Sequence, residues 1–121
     1  MEEESHRPYF EEFLPGILGK LLIEDLESLS TCFEIAVTDA GEPPWRLAIE
    51  RGRLVHVGHE GPEPACRFRL DRETLLEVVR GRCRPAEAFF DRRIEVEGDI
   101  ETGLKLSTVL EPFFARFPYP G

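Results

Sequence analysis

Apolar residues recur at two different spacings along this chain, and the points where the spacing changes dictate where helices and strands can form. Between residues 8 and 29, Phe10, Phe13, Leu14, Ile17, Leu18, Leu21 and Leu22 fall three or four apart, which gathers them on one face of a helix. Glu11, Glu12, Glu24, Asp25 and Glu27 take the wet side. Pro15-Gly16 splits or kinks this run, because proline lacks the N–H that a helix interior needs. From residue 32 the spacing drops to two. Phe33, Ile35 and Val37 alternate with Glu34, Ala36 and Thr38, and Trp45, Leu47 and Ile49 alternate with Arg46, Ala48 and Glu50. That pattern belongs to strands with one buried face. The segment 39–44 between them is turn material, and Arg51-Gly52 is suited to a tight hairpin turn, since glycine accepts positive φ without steric cost.

A third strand is expected over Leu54 to His59, then a polar loop from Gly58 to Pro64. A fourth follows over 65–70, where Cys66, Phe68 and Leu70 alternate with Arg67 and Arg69. Asp71 can cap a helix running to about Arg80, with Glu73 favourable in its first turn and Gly81 at its stop. Leu75, Leu76, Val78 and Val79 form its apolar side. Pro85 opens a short helix carrying Ala86, Ala88, Phe89 and Phe90. Ile94 and Val96 mark a fifth strand, ended by Gly98. Asp99 caps a last helix with Leu104, Leu106, Val109 and Leu110, interrupted by Pro112. The order is helix, four strands, two helices, strand, helix. It predicts an α+β fold with a five-stranded, mainly antiparallel sheet covered on one face by helices. Short connections predict an antiparallel meander for the first four strands. The fifth, after a long crossover, either joins an edge or inserts parallel to a neighbour.

At 121 residues, residues 1–121 are expected to form a single domain. The acidic start, Met1-Glu2-Glu3-Glu4, is unlike a secretory signal, and no apolar run nears the ~20 residues that span a bilayer, so a cytoplasmic location without stable membrane insertion is expected. Cys32, Cys66 and Cys83 are odd in number and widely spaced, which speaks against a disulfide framework or a zinc site. A net charge of −9 argues against nucleic acid as a partner. The charge is uneven. Residues 67–93 hold eight basic residues against five acids, so this stretch is +3 and the remainder −12. It offers either a solvated face paired with nearby acids or a contact for an anionic head group in the Arg80–Arg93 region.

No motif for catalysis is present: no nucleophile elbow, phosphate loop or dinucleotide fingerprint. His56 and His59 are three apart beside Glu60, a spacing that on a strand sends the two rings to opposite faces. Glu95 and Glu97 share a strand face and read as solvated. No enzyme activity, catalytic residue, metal or cofactor is expected.

Residues 65–110 resemble the sterol carrier protein type-two family of lipid-binding domains. The resemblance is carried, in order, by Cys66-Arg67-Phe68-Arg69-Leu70, Leu75-Leu76-Glu77-Val78-Val79-Arg80-Gly81, Pro85-Ala86-Glu87-Ala88-Phe89-Phe90, Arg93-Ile94-Glu95-Val96-Glu97-Gly98-Asp99 and Leu104-Lys105-Leu106. It implies a curved sheet, helices over it, and an apolar tunnel between them that takes sterols, fatty acids, acyl-CoA esters or other lipids without catalysis. Residues expected to line such a tunnel are Phe33, Ile35, Trp45, Leu47, Phe68, Leu70, Leu76, Val79, Phe89, Phe90, Ile94, Leu104 and Phe113. Read without the resemblance, the same apolar stripes form a dry core. Arg92 stands where the family usually has glycine, and Phe90 where a smaller apolar residue is common. The chain ends in Tyr-Pro-Gly and lacks a Ser-Lys-Leu address. Its aromatic tail is a lid, a partner surface or a frayed end. The expected partner is a lipid or other apolar small molecule. The alternative is a scaffold of the same fold with no open tunnel, contacting a protein partner or a second copy and supporting an enzyme that acts on a hydrophobic metabolite.

Overall fold

The structure, a computed structural model, describes residues 6–18 and 30–120. Of the expected N-terminal helix, Leu21, Leu22, Glu24, Asp25 and Glu27 lie outside the described residues. Its first part is present in a different form. Tyr9–Phe13 is a single π-helical turn, closed by the Leu14 N–H on the Tyr9 carbonyl at 2.9 Å, and Pro15–Ile17 is a 3₁₀ turn. The wide π turn followed by the proline changes the angular spacing of the side chains. Tyr9, Phe10, Leu14 and Ile17 are buried, while Phe13 is only partly so and Leu18 is exposed.

Five strands follow the period-two segments: β1 Thr31–Val37, β2 Trp45–Glu50, β3 Arg53–Gly58, β4 Cys66–Leu70 and β5 Ile94–Gly98. Arg51 and Gly52 make the hairpin between β2 and β3 with φ of 52° and 75°, both positive, as a type I′ turn requires. The strand order is β3-β2-β1-β4-β5. The expected four-stranded antiparallel meander is therefore corrected. Only β1, β2 and β3 meander, and β4 pairs parallel with β1 on its other side. β5 joins the edge, antiparallel to β4.

The register explains how so short a connection yields a parallel pair. Gly58, Arg46, Glu34, Arg67 and Glu97 lie in one row across the five strands, so β3 ends level with the start of β4. Residues 59–65 need only cross β2 and β1. They do so on the outer face, where Arg46 Nη1 donates to the Gly61 carbonyl at 2.9 Å and the Ala65 N–H donates to Cys32 at 2.9 Å. The side chains of that row form a ladder of alternating charge. Arg67 Nε lies 2.6 Å from Glu34, Arg46 Nε lies 3.9 Å from it, and Arg67 Nη1 lies 3.6 Å from Glu97.

The inner face carries the core. Over it lie α1 Arg72–Val79, α2 Pro85–Phe90, α3 Ile100–Val109 and α4 Glu111–Arg116. Asp71 and Asp99 cap α1 and α3 by accepting from the N–H groups of Thr74 at 2.8 Å and Thr102 at 3.2 Å. Gly81, with φ 76°, ends the first helical segment as expected. The last helix is interrupted at Pro112 as expected: α3 ends at Val109, and the proline sits in the first turn of α4, which packs its Phe113 into the core.

Candidate ligand site

Between the inner face of the sheet and the helices is a cavity of about 70 Å³. From the sheet come Phe33, Ile35, Leu47, Ile49, Leu54, Phe68, Leu70 and Ile94; from α1, Leu75, Val78 and Val79; from the later helices, Pro85, Ser107, Leu110, Phe113 and Phe114; and from the N-terminal turns, Tyr9 and Leu14. Among the described residues no charged side chain lines it, and only Tyr9 and Ser107 are polar. The Ser107 hydroxyl donates to the Gly103 carbonyl at 2.9 Å, an exchange within α3. Burial pushes the Tyr9 phenol well above its ordinary pKa, so it stays protonated.

Of the residues expected around a tunnel, Phe33, Ile35, Leu47, Phe68, Leu70, Val79, Ile94 and Phe113 line this cavity. Trp45, Leu76, Phe89, Phe90 and Leu104 do not, and each departs for a geometric reason. Trp45 is buried, but it stacks on Phe10 with centroids 4.8 Å apart and donates its indole N–H to Glu42 at 3.0 Å. Leu76 lies about 100° of helix from Leu75 and about 60° from Val79, facing a surface groove with Asp39, Arg72 and Arg80. The inward positions of α2 are Pro85 and Ala88, three apart. Phe90 follows Ala88 by about 200° of helix and points to solvent, 78% exposed. Phe89, half-buried, packs against Phe90. On α3 the buried set is Gly103, Leu106 and Ser107, continued by Leu110 at its C-cap, and Leu104 falls beside it, exposed.

Several wall residues went unassigned from sequence. Ile49 shares its strand parity with Leu47, and Leu75 and Val78 share a helix face with Val79, so period alone could have found them. Tyr9 and Leu14 were obscured by the π turn, which breaks the 3.6 spacing. Nothing in the sequence marks Ser107.

The basic stretch does not face the cavity. Arg93 pairs with Glu77, Arg84 lies 3.1 Å from Glu111, and Arg69 lies 3.1 Å from Glu97. The Arg80 guanidinium rests over the Tyr119 ring, 5.4 Å from its centroid. That contact belongs to the folded tail. The Tyr119 N–H donates to the Val79 carbonyl at 2.9 Å, and its ring meets Tyr9 and Phe13 edge-on at 5.3 and 5.5 Å. Phe113 and Phe114 of α4 stand in the cavity wall, and Tyr119 packs beside it. The two histidines are occupied separately: His56 Nε2 is 2.6 Å from the Glu60 carbonyl and His59 Nδ1 is 3.2 Å from that of Pro44. Among the described residues no helix is long and apolar enough to cross a membrane.

A mixed five-stranded sheet with helices on one face and an apolar void between the layers is a two-layer α+β architecture. Comparison with known proteins agrees. The family model of the SCP-2 sterol transfer family matches residues 16–111, and this chain belongs to that family. No curated protein sequence matches it. Among solved structures, a sterol carrier protein 2 crystal structure is similar, with 16% identity over 85% of this chain and 88% of that one, at a TM-score of 0.65. Palmitated SCP2L2 from Aedes aegypti is 19% identical over 69% of this chain and 74% of that one, at 0.56. The fold also occurs inside an enzyme. In the inverting sec-alkylsulfatase Pisa1 from Pseudomonas sp., 76% of this chain corresponds to 13% of the longer chain, at 17% identity and a TM-score of 0.52. At these identities the likeness is one of fold.

Proposed function

We propose that this chain is a non-catalytic binding module that holds an apolar small molecule, such as a fatty acyl chain, an acyl-CoA, a sterol or a comparable lipid, between its sheet and the layer of α1, α3 and α4. The observation that carries this reading is the cavity itself: an apolar void in that position, whose described wall residues are all apolar but Tyr9 and Ser107. Membership of a sterol transfer family supports it. Burying about sixteen methylenes gives on the order of 12 kcal/mol gross at ~0.8 each. Association costs of ~4–15 kcal/mol oppose this. A net affinity near micromolar suits a carrier that must also release. The odd, widely spaced cysteines suit a reducing compartment, and we place its work in the cytoplasm.

At about 70 Å³ the void is roughly half the ~150 Å³ that accommodates benzene in an engineered core, so uptake requires the walls to move apart. The element suited to yield is α4 with residues 117–120. It supplies Phe113 and Phe114 to the wall, and it is tied down by the Tyr119 backbone bond, the Arg84–Glu111 pair and ring contacts.

Native mass spectrometry of freshly purified protein, followed by solvent extraction, tests the reading. A stoichiometric lipid-sized adduct is the expected result. A clean apo mass, with no uptake of fatty acid, sterol or quinone on titration, would overturn it and favour a scaffold that keeps the fold with its void closed.

A further inference from the structure

The sheet residues of the cavity wall are not scattered. In the register of the sheet they are cross-strand partners: Leu54 on β3 faces Ile49 on β2, and Leu47 on β2 faces Phe33 on β1. Ile35 on β1 then faces Phe68 on β4, and Leu70 on β4 faces Ile94 on β5. Each pair lies one inward position further along the strands than the pair before it. Together they form a staircase that crosses the sheet diagonally from one edge strand to the other. It spans four strand spacings and the six residues from the level of Thr31 to that of Val37, about 25 Å corner to corner. Trp45, Cys66 and Val37 hold inward positions beside the staircase, and they are buried without lining the cavity. The void is thus long and narrow, which agrees with a volume of only about 70 Å³.

Phe33 and Phe68 stand at the middle of this path. Both are buried, and their rings meet edge-on with centroids 5.8 Å apart. They sit on β1 and β4, each of which is paired on both sides, so the two backbones cannot part without breaking the parallel ladder that joins them. On the sheet side, the path widens here only by rotation of the two side chains.

We propose that the Phe33–Phe68 ring pair is a constriction across a diagonal channel, and that it selects a flexible, extended chain over a rigid fused-ring molecule. This narrows the proposed function and rests on the reading that the cavity is the ligand site. A flexible chain is one methylene wide at every point and bends around two rings. A fused-ring body keeps its full breadth along its length, so it must displace both rings at once in a close-packed wall. The flanking inward positions give it no space, because they are already filled by packed side chains.

The test uses palmitate as the linear probe and cholesterol, delivered from cyclodextrin, as the fused-ring probe. Each is titrated into the wild-type chain, Phe33→Leu, Phe68→Leu and Phe114→Leu. Wild type is expected to bind palmitate about tenfold or more tighter than cholesterol. Phe33→Leu and Phe68→Leu should each narrow that ratio about fivefold or more by gaining cholesterol, whereas Phe114→Leu, in the helical wall, should leave it within about twofold. Equal or tighter binding of cholesterol by the wild type overturns this inference and leaves the binding reading standing, as does an equal response to Phe114→Leu. A second measurement needs no variant. In the wild-type complex, nuclear Overhauser contacts from isotope-labelled palmitate should reach the Leu54 methyls, the Phe33 and Phe68 rings and the Ile94 methyls. Contacts confined to one side of the ring pair overturn the diagonal channel. No binding of either probe overturns both the inference and the binding reading.

Discussion

Arg92 occupies the turn between α2 and β5 with φ 63°, a left-handed conformation that costs a residue with a Cβ about 1–2 kcal/mol. The family usually carries glycine here. The turn keeps the backbone geometry that glycine would take, with the Arg92 N–H on the Phe89 carbonyl at 3.0 Å and the Arg93 N–H on Ala88 at 2.8 Å. The side chain is exposed. Arg92→Gly should therefore stabilise the fold by up to about 1 kcal/mol once the extra chain entropy of glycine is subtracted, read as a higher urea midpoint at unchanged slope. A lower midpoint would mean that the arginine side chain contributes more than its strained backbone costs. Single residues were the least legible part of the site. Phe90 and Leu104 are as apolar as Phe68, and only their angular position on short helices sends them to solvent. Tyr9 reads as one more aromatic in an apolar run until the π turn places it on the wall.

Elements were legible because their causes are local. Asp71 and Asp99 accept from N–H groups three residues on, Gly81 ends a helical segment, and Arg51-Gly52 turns a hairpin, all through contacts within a few residues. Packing between elements adds constraints the pattern does not show. Gly103 is such a case. A Cβ at this position on α3 would stand 2.4 Å from Val96 Cγ1 on β5. Valine is stiff about χ1, so the clash moves the helix or the strand instead of the side chain. Gly103→Ala gains up to about 1 kcal/mol in helix propensity but incurs an overpacking cost of about 1–3 kcal/mol. A net destabilisation of about 1–2 kcal/mol is expected in chemical denaturation, with earlier hydrogen exchange in β5. A neutral or stabilising result would show that α3 can slide on the sheet. The pairing of β4, parallel to β1, is not legible at this scale. Alternation identifies a strand and its buried face, but it carries no information on which neighbour the strand chooses. That choice came from the stagger of β3, which lets residues 59–65 cross two strands without a helix.

Across the whole molecule, the uneven charge resolves into pairing over distance. Basic residues of the 67–93 stretch meet acids from β1, β5 and α4, namely Glu34, Glu97 and Glu111. Carboxylates also set the response to acid. Burial by itself would raise the Glu42 carboxyl, but hydrogen bonds from Trp45 and His6, with the charges of His6 and Arg7, outweigh it and hold Glu42 low. Hydrogen bonds from Thr74 lower Asp71, and those from Thr102 lower Asp99. Each folded value lies below its unfolded one, so this stability is fully present above about pH 4 to 5 and is lost as pH falls through the depressed folded values. The alkaline side runs the other way. Burial, aided by Asp99, pushes the Cys66 thiol up to about 11, so folding loses stability as pH rises from about 8.5 toward that value. A series of urea midpoints should show a plateau between these limits. Glu42→Gln should lower the plateau and flatten part of the acid limb; an unchanged acid limb would remove Glu42 from the account.

Local chemistry, then, accounts for the α+β class, the five strands, the capped helices and the apolar stripes, because period, caps and turns act over a few residues. The chain folded in three dimensions settles the rest. The parallel pairing of β1 and β4 depends on stagger between strands distant in sequence. The separation of wall residues from core and surface depends on helix rotation about axes that the pattern leaves free. The volume of about 70 Å³ depends on how far α4 and the tail close down on the sheet, a balance of packing among side chains from both ends of the chain.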